Sequence, residues 1–127
     1  MKRIVWSLFG ILSAAAICSA QNTTSYFPQV ADGVQAGGTV WVTAIGITNP
    51  SLGSAAVNGS ITFTQDNGSG MNVTVVNEQG QLVGSGSSIP FQVGGGQTRF
   101  FSTTGIGSLN QGYAIVTANG AVTGASS

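Results

Sequence analysis

The chain has 127 residues, only three of them basic and three acidic, with no histidine and one cysteine, Cys18. So little charge leaves no basic patch for nucleic acid or an anionic membrane surface. The missing histidine excludes imidazole metal sites and serine triads by residue type alone.

Lys2 and Arg3 open the chain, Ile4 to Ile17 is an apolar run broken only by Ser7, Gly10 and Ser13, and Cys18-Ser19-Ala20 supplies small residues before Gln21. That order predicts a secretory signal peptide over residues 1–20 and an exported protein, secreted or held at the cell surface. Polarity sets in at Gln21-Asn22-Thr23-Thr24, short of the roughly 20 apolar residues that a span requires, so no membrane span is expected in the mature form. The alternative is a lipoprotein carrying its lipid on Cys18, but Ile17 stands where a small residue is wanted. Residues 21–127 then form a single domain without lysine or cysteine, in which Arg99 faces Asp32, Asp66 and Glu78, a formal charge of −2.

Beyond Thr24, Val, Ile and Phe are punctuated by Gly, Asn, Ser and Thr, a mixture that predicts strands and tight turns. Thr39 to Thr48 is apolar on both faces, Trp41, Ile45 and Ile47 on one and Val40, Val42 and Ala44 on the other, which predicts one central strand with Trp41 in the core; Asn49-Pro50 ends it. Val57 to Gln65 alternates Val57, Gly59, Ile61 and Phe63 with polar residues, and Met71 to Val76 repeats the pattern after the turn Asp66-Asn67-Gly68-Ser69-Gly70. The two read as a β-hairpin.

Ile89 to Val93 is a short strand whose Pro90 favours an edge, Gly94-Gly95-Gly96 turns the chain, Thr98 to Thr103 runs back, and Tyr113 to Ala118 is another strand. About six strands without an intervening helix predict an all-β fold, an antiparallel β-sandwich of immunoglobulin-like type, for which seven strands are usual. Val122 to Ser127 reads either as a last strand cut short, leaving the sandwich without it, or as a frayed tail.

Tyr26-Phe27-Pro28-Gln29-Val30-Ala31-Asp32-Gly33, with Asn49-Pro50 after a hydrophobic strand and Gly112-Tyr113-Ala114 later, resembles uncharacterised β-sandwich modules of exported bacterial proteins. The likeness runs over roughly residues 26 to 124. It implies fold and export; it carries over no catalytic residue and no substrate.

Serine–lysine dyads and thiol nucleophiles have no residues to form from in the mature chain, and its hydroxyls have no base to activate them. Asp32, Asp66 and Glu78 lie in separate turn-like segments, a poor basis for a glycosidase carboxylate pair. Asp66, Asn67 and Asn72 are weak calcium candidates, with a spacing unlike an EF-hand loop. Gly94-Gly95-Gly96 lacks the following helix and lysine of a phosphate cradle, and Arg99 can pair with Asp32 or Glu78. No cofactor is expected.

Adjacent Phe100 and Phe101 must point to opposite faces of a strand, so one is exposed unless another layer covers it. With Tyr26 and Tyr113 they are the interface candidates. Strands without lysine leave edges to be covered by neighbours, self-association or a partner strand. The function expected is therefore a non-enzymatic secreted or cell-surface interaction or structural module, its partner a protein, a polysaccharide or another copy pairing through strand edges. The alternatives are a carbohydrate-binding module, marked by an exposed line of Tyr26, Phe100 or Tyr113, and a self-associating fibre or matrix subunit.

Overall fold

The computed structural model describes residues 22–53 and 55–126, so the signal peptide and the Cys18 alternative lie outside the described residues. Ten strands follow in order: β1 Thr23–Val34, β2 Val40–Trp41, β3 Ala44–Thr48, β4 Val57–Gln65, β5 Val73–Val76, β6 Leu82–Gly86, β7 Ser88–Val93, β8 Thr98–Thr103, β9 Asn110–Ala118 and β10 Thr123–Ser126. They build two antiparallel five-stranded sheets, ordered β2-β1-β9-β4-β7 and β10-β3-β8-β5-β6. The fold is an all-β sandwich, with more strands than the six legible in the pattern.

Alternation decides which side chains meet between the sheets. Ile61 and Phe63 of β4 pair with Val116 and Ala114 of β9, and all four are buried. Ile45 and Ile47 of β3 and Val73 and Val75 of β5 close on them from the second sheet. Phe91 and Phe101 bridge the layers with ring centroids 5.7 Å apart and planes tilted by 46°, an arrangement that adds to simple area burial. Burying each such aromatic or branched side chain contributes roughly 1.5–3 kcal/mol.

β1 escaped the pattern because it carries a bulge. Its register with β9 shifts between Phe27, opposite Ala114, and Val30, opposite Gly112, so Phe27 and Val30 both point inward although three residues apart. Pro28, with no amide hydrogen to pair, sits in the irregular stretch.

The predicted central strand Thr39–Thr48 is two strands in two sheets. β2 pairs with the end of β1, β3 pairs with β8 and β10, and the chain changes sheet at Val42-Thr43. Trp41 is consequently outside the core, 45% exposed, its indole Nε1 donating to Gln35 Oε1 at 2.8 Å. Alternation holds only while a strand stays in one sheet, and Thr43 takes the inward place instead.

Val57–Gln65 and Met71–Val76 do not form the expected hairpin. β4 and β5 meet only at the turn, where the Met71 amide donates to the Phe63 carbonyl and Thr64 bridges Gly70; β5 then crosses to the second sheet. Pro90 lies in β7, an edge strand of the first sheet, in line with the sequence reading. Thr123–Ser126, read as cut short or frayed, is strand β10, paired with β3 from Thr123 opposite Thr48 to Ser126 opposite Ile45.

Candidate functional site

Two surfaces and one depression concentrate unusual chemistry. At one end of the first sheet, Val34 pairs with Val40 and Gly33 with Trp41, while Gly105 packs against the other side of the β2 segment. A Cβ on Gly105 would lie 2.6 Å from Val40 Cγ1 and 3.0 Å from Val42 Cγ1, and its φ of +73° also calls for glycine. Five apolar residues of this segment and its flanks are exposed, Val34, Val40, Trp41, Val42 and Ile106, the last 74% exposed. Beside them a groove of about 410 Å³ is lined by Gln29, Ala31, Trp41, Val42, Thr43 and Ser126. It lies where β1 and β2 at the edge of one sheet approach β10 at the edge of the other.

The outer face of the first sheet holds Tyr26 and Tyr113. Tyr26 is 69% exposed and stands opposite Ile115, which stands opposite Thr62; Tyr113, two residues from Ile115 on β9, stands opposite Thr64. Thr24, Thr117 and Ser60 form the next row, with Ser60 and Thr117 hydroxyls 3.3 Å apart. No charged residue belongs to these rows.

Phe100 and Phe101 are not on that face. Phe101 is in the core against Phe91, and Phe100, 52% exposed, projects from the outer side of the second sheet. Phe100 lies opposite Gly46, where a Cβ would stand 3.0 Å from its ring atom Cε1, so the ring shields a glycine in the neighbouring strand. Part of its exposure thus has a structural reason.

Arg99 pairs with Glu78 and not with Asp32. Its Nε donates to Glu78 Oε1 at 2.8 Å, and the Phe100 amide donates to Glu78 Oε2 at 2.9 Å. β5 pairs with β8 only at Thr103 and Ser102, so Glu78, just past β5, caps the part of β8 that β5 leaves. The amide hydrogen bond, foremost, and the guanidinium hold the Glu78 carboxyl below the usual carboxylate range, against some desolvation.

The calcium candidates separate. Asn67 Oδ1 accepts from the Ser69 amide at 2.9 Å and the Ser69 hydroxyl at 2.6 Å within its own turn, and Asp66 and Asn67 line one depression with Leu109 and Asn110. Asn72 lines another, of about 450 Å³, with Asp32, Thr74, Ser85, Thr104 and Ile106. Asp32 forms neither an ion pair with Arg99 nor a pair with another acid among the described residues. It is a buried carboxylate, 3% exposed, whose Oδ1 accepts from the Gly105 amide at 2.8 Å. Among the described residues no three of His, Cys, Asp and Glu come together.

The residues that carried the resemblance have structural work in this fold. A Cβ on Gly33 would lie 2.3 Å from the Ser108 carbonyl oxygen, and φ is +121°. Asn49, fully buried, donates from Nδ2 to the carbonyls of Ala55 and Val93 and accepts from the Ser51 amide, each at 3.1 Å. No known family model matches the chain, and no curated protein matches it either.

Proposed function

We propose that this protein is a non-enzymatic secreted or cell-surface interaction module that docks a protein partner through the Trp41 end of its first sheet. The observation that carries the reading is the concentration of exposed apolar residues on β2 and its flanks, where Val34 pairs with Val40, Val40 and Val42 turn toward Gly105, and Trp41 and Val42 line a groove between two sheet edges. Scattered exposed apolar residues are ordinary, whereas a contiguous group marks an interaction surface. Tryptophan is among the residues that dominate binding energy at protein interfaces, and apolar neighbours that exclude water support it.

The residue inventory supports a non-enzymatic role, because the chain after residue 20 offers no histidine, lysine or cysteine to activate a nucleophile. Residues 1–20 support export. No helix among the described residues is long and apolar enough to cross a membrane. The test is light scattering of the purified protein at high concentration, with adhesion to cells and extracellular matrix. Self-association or adhesion is expected; a monomer that adheres to nothing removes the reading.

A second reading, carbohydrate binding, has a different observation behind it: Tyr26 and Tyr113 share one uncharged face with Ile115 and rows of hydroxyls. Tyrosine rings stack on sugar rings and the hydroxyls suit neutral glycans. A glycan array on which Tyr26→Ala abolishes the hits would support it, and an array without hits would remove it.

A further inference from the structure

We propose that the depression around Asp32 binds a hard divalent cation, with calcium the chemical match. The inference stands apart from the docking reading. A buried carboxylate calls for a compensating charge or a metal, and Asp32 has neither within the described residues. Arg99, their only basic side chain, is engaged by Glu78.

One carboxylate oxygen is committed and the other is open. Oδ1 accepts from the Gly105 amide, while Oδ2 takes no hydrogen bond from the described residues. No buried side-chain oxygen or nitrogen there is left unsatisfied, so Oδ2 is open to the depression that Asp32 lines. The backbone that carries it is held from both sides: Asp32 pairs with Asn110 across β1 and β9, and the following Gly33 approaches the Ser108 carbonyl closely.

The remaining walls supply oxygen. Asn72, Thr74, Ser85 and Thr104 line the depression, and the Thr74 and Ser85 hydroxyls lie 3.3 Å apart across β5 and β6. Carboxylate, amide and hydroxyl oxygens with room for water suit calcium, which takes six to eight oxygens in flexible geometry. Zinc and copper prefer nitrogen and sulfur donors from histidine and cysteine, which the described residues lack. A single carboxylate sets the affinity in the weak range of extracellular modules, a Kd of about 10⁻⁴–10⁻³ M.

The experiment titrates calcium chloride into the purified protein and follows heat, melting temperature and backbone amide NMR shifts. Saturable binding in the millimolar range is expected, with a raised Tm and shifts centred on Asn72, Ser85, Thr104 and Gly105. Asp32→Asn keeps an oxygen acceptor for the Gly105 amide and should abolish the response, and Asn72→Ala at an exposed position should weaken it several-fold. Should Asp32→Asn not fold, Asn72→Ala and the shift map decide alone. No response at about 10 mM calcium, tenfold beyond that affinity range, overturns the proposal. So does a response centred on Asp66 and Asn67, or one that Asp32→Asn or Asn72→Ala leaves intact.

Discussion

The Thr43 hydroxyl donates to the Ala31 carbonyl and accepts from the Ala31 amide, each at 3.0 Å, so one side chain takes the place of a neighbouring strand along β1. Its own amide donates to Thr103 Oγ1 at 2.9 Å in the other sheet, and its carbonyl accepts from the Thr103 amide. Thr43 thereby fastens both sheets at the point where the chain passes between them. It also fixes where β2 departs, and with it the outward position of Trp41.

Thr43→Val keeps the shape and removes the hydroxyl, leaving both Ala31 backbone groups without a partner. The expected loss is about 2–3 kcal/mol, read from the denaturant midpoint with an unchanged m value. Thr43→Ser retains the bonding and should cost no more than about 1 kcal/mol. A Thr43→Val loss no larger than that of Thr43→Ser would contradict the assignment of the stabilisation to the hydroxyl.

Phe100→Ala uncovers Gly46 and should destabilise by about 1 kcal/mol, the scale of a cross-strand pair. Adhesion or self-association should be unaffected. Loss of binding at unchanged stability would move Phe100 from a shielding role into the docking surface.

For Glu78, the folded-state pKa is depressed, so the unfolded chain takes up the proton at higher pH than the folded one. The stabilisation is complete above the ordinary carboxylate pKa and is lost as pH falls through that value and then through the depressed one. Glu78→Gln should therefore cost up to about 1 kcal/mol at neutral pH, as expected for a solvent-accessible pair. The gap from the parent should close in acid. Chemical denaturation of both proteins over the acid range measures it, and a gap that stays constant would contradict an electrostatic origin.

Much of the fold was legible where a strand stays in one sheet and keeps its alternation. Val57–Gln65 is β4 to the residue, Thr98–Thr103 is β8, and Pro90 lies at an edge. Alternation failed where tertiary pairing overrode it. The bulge at Pro28-Gln29 hid β1, the sheet change at Val42-Thr43 sent Trp41 outward, and Gly84 and Gly86 left β6 without a hydrophobic pattern. Of the interface candidates, Tyr26 and Tyr113 come to one face, but nothing local to the sequence separates them from Phe100 on the opposite sheet. The burial of Asp32 and Asn49 depends on partners far along the chain, Gly105 and Val93, so their turn-like surroundings gave no sign of it. Trp41 reads as a core residue because Val40 and Val42 flank it, and that pattern carries no signal of its exposure.

The most direct measurement is adhesion to cells and extracellular matrix, together with light scattering, for the purified protein and the double variant Trp41→Ser/Ile106→Ser. Ile106 is largely exposed, so its substitution should change stability by no more than about 0.5 kcal/mol. Trp41 gives up a hydrogen bond to Gln35 as well as half-buried ring area, so its substitution should cost about 1–2 kcal/mol, which leaves the fold in place. The predicted result is that the parent adheres or self-associates and the double variant, equally folded, does neither. A parent that is monomeric and adheres to nothing, or a double variant that binds as well as the parent, would contradict the assignment of the Trp41 end as the docking surface.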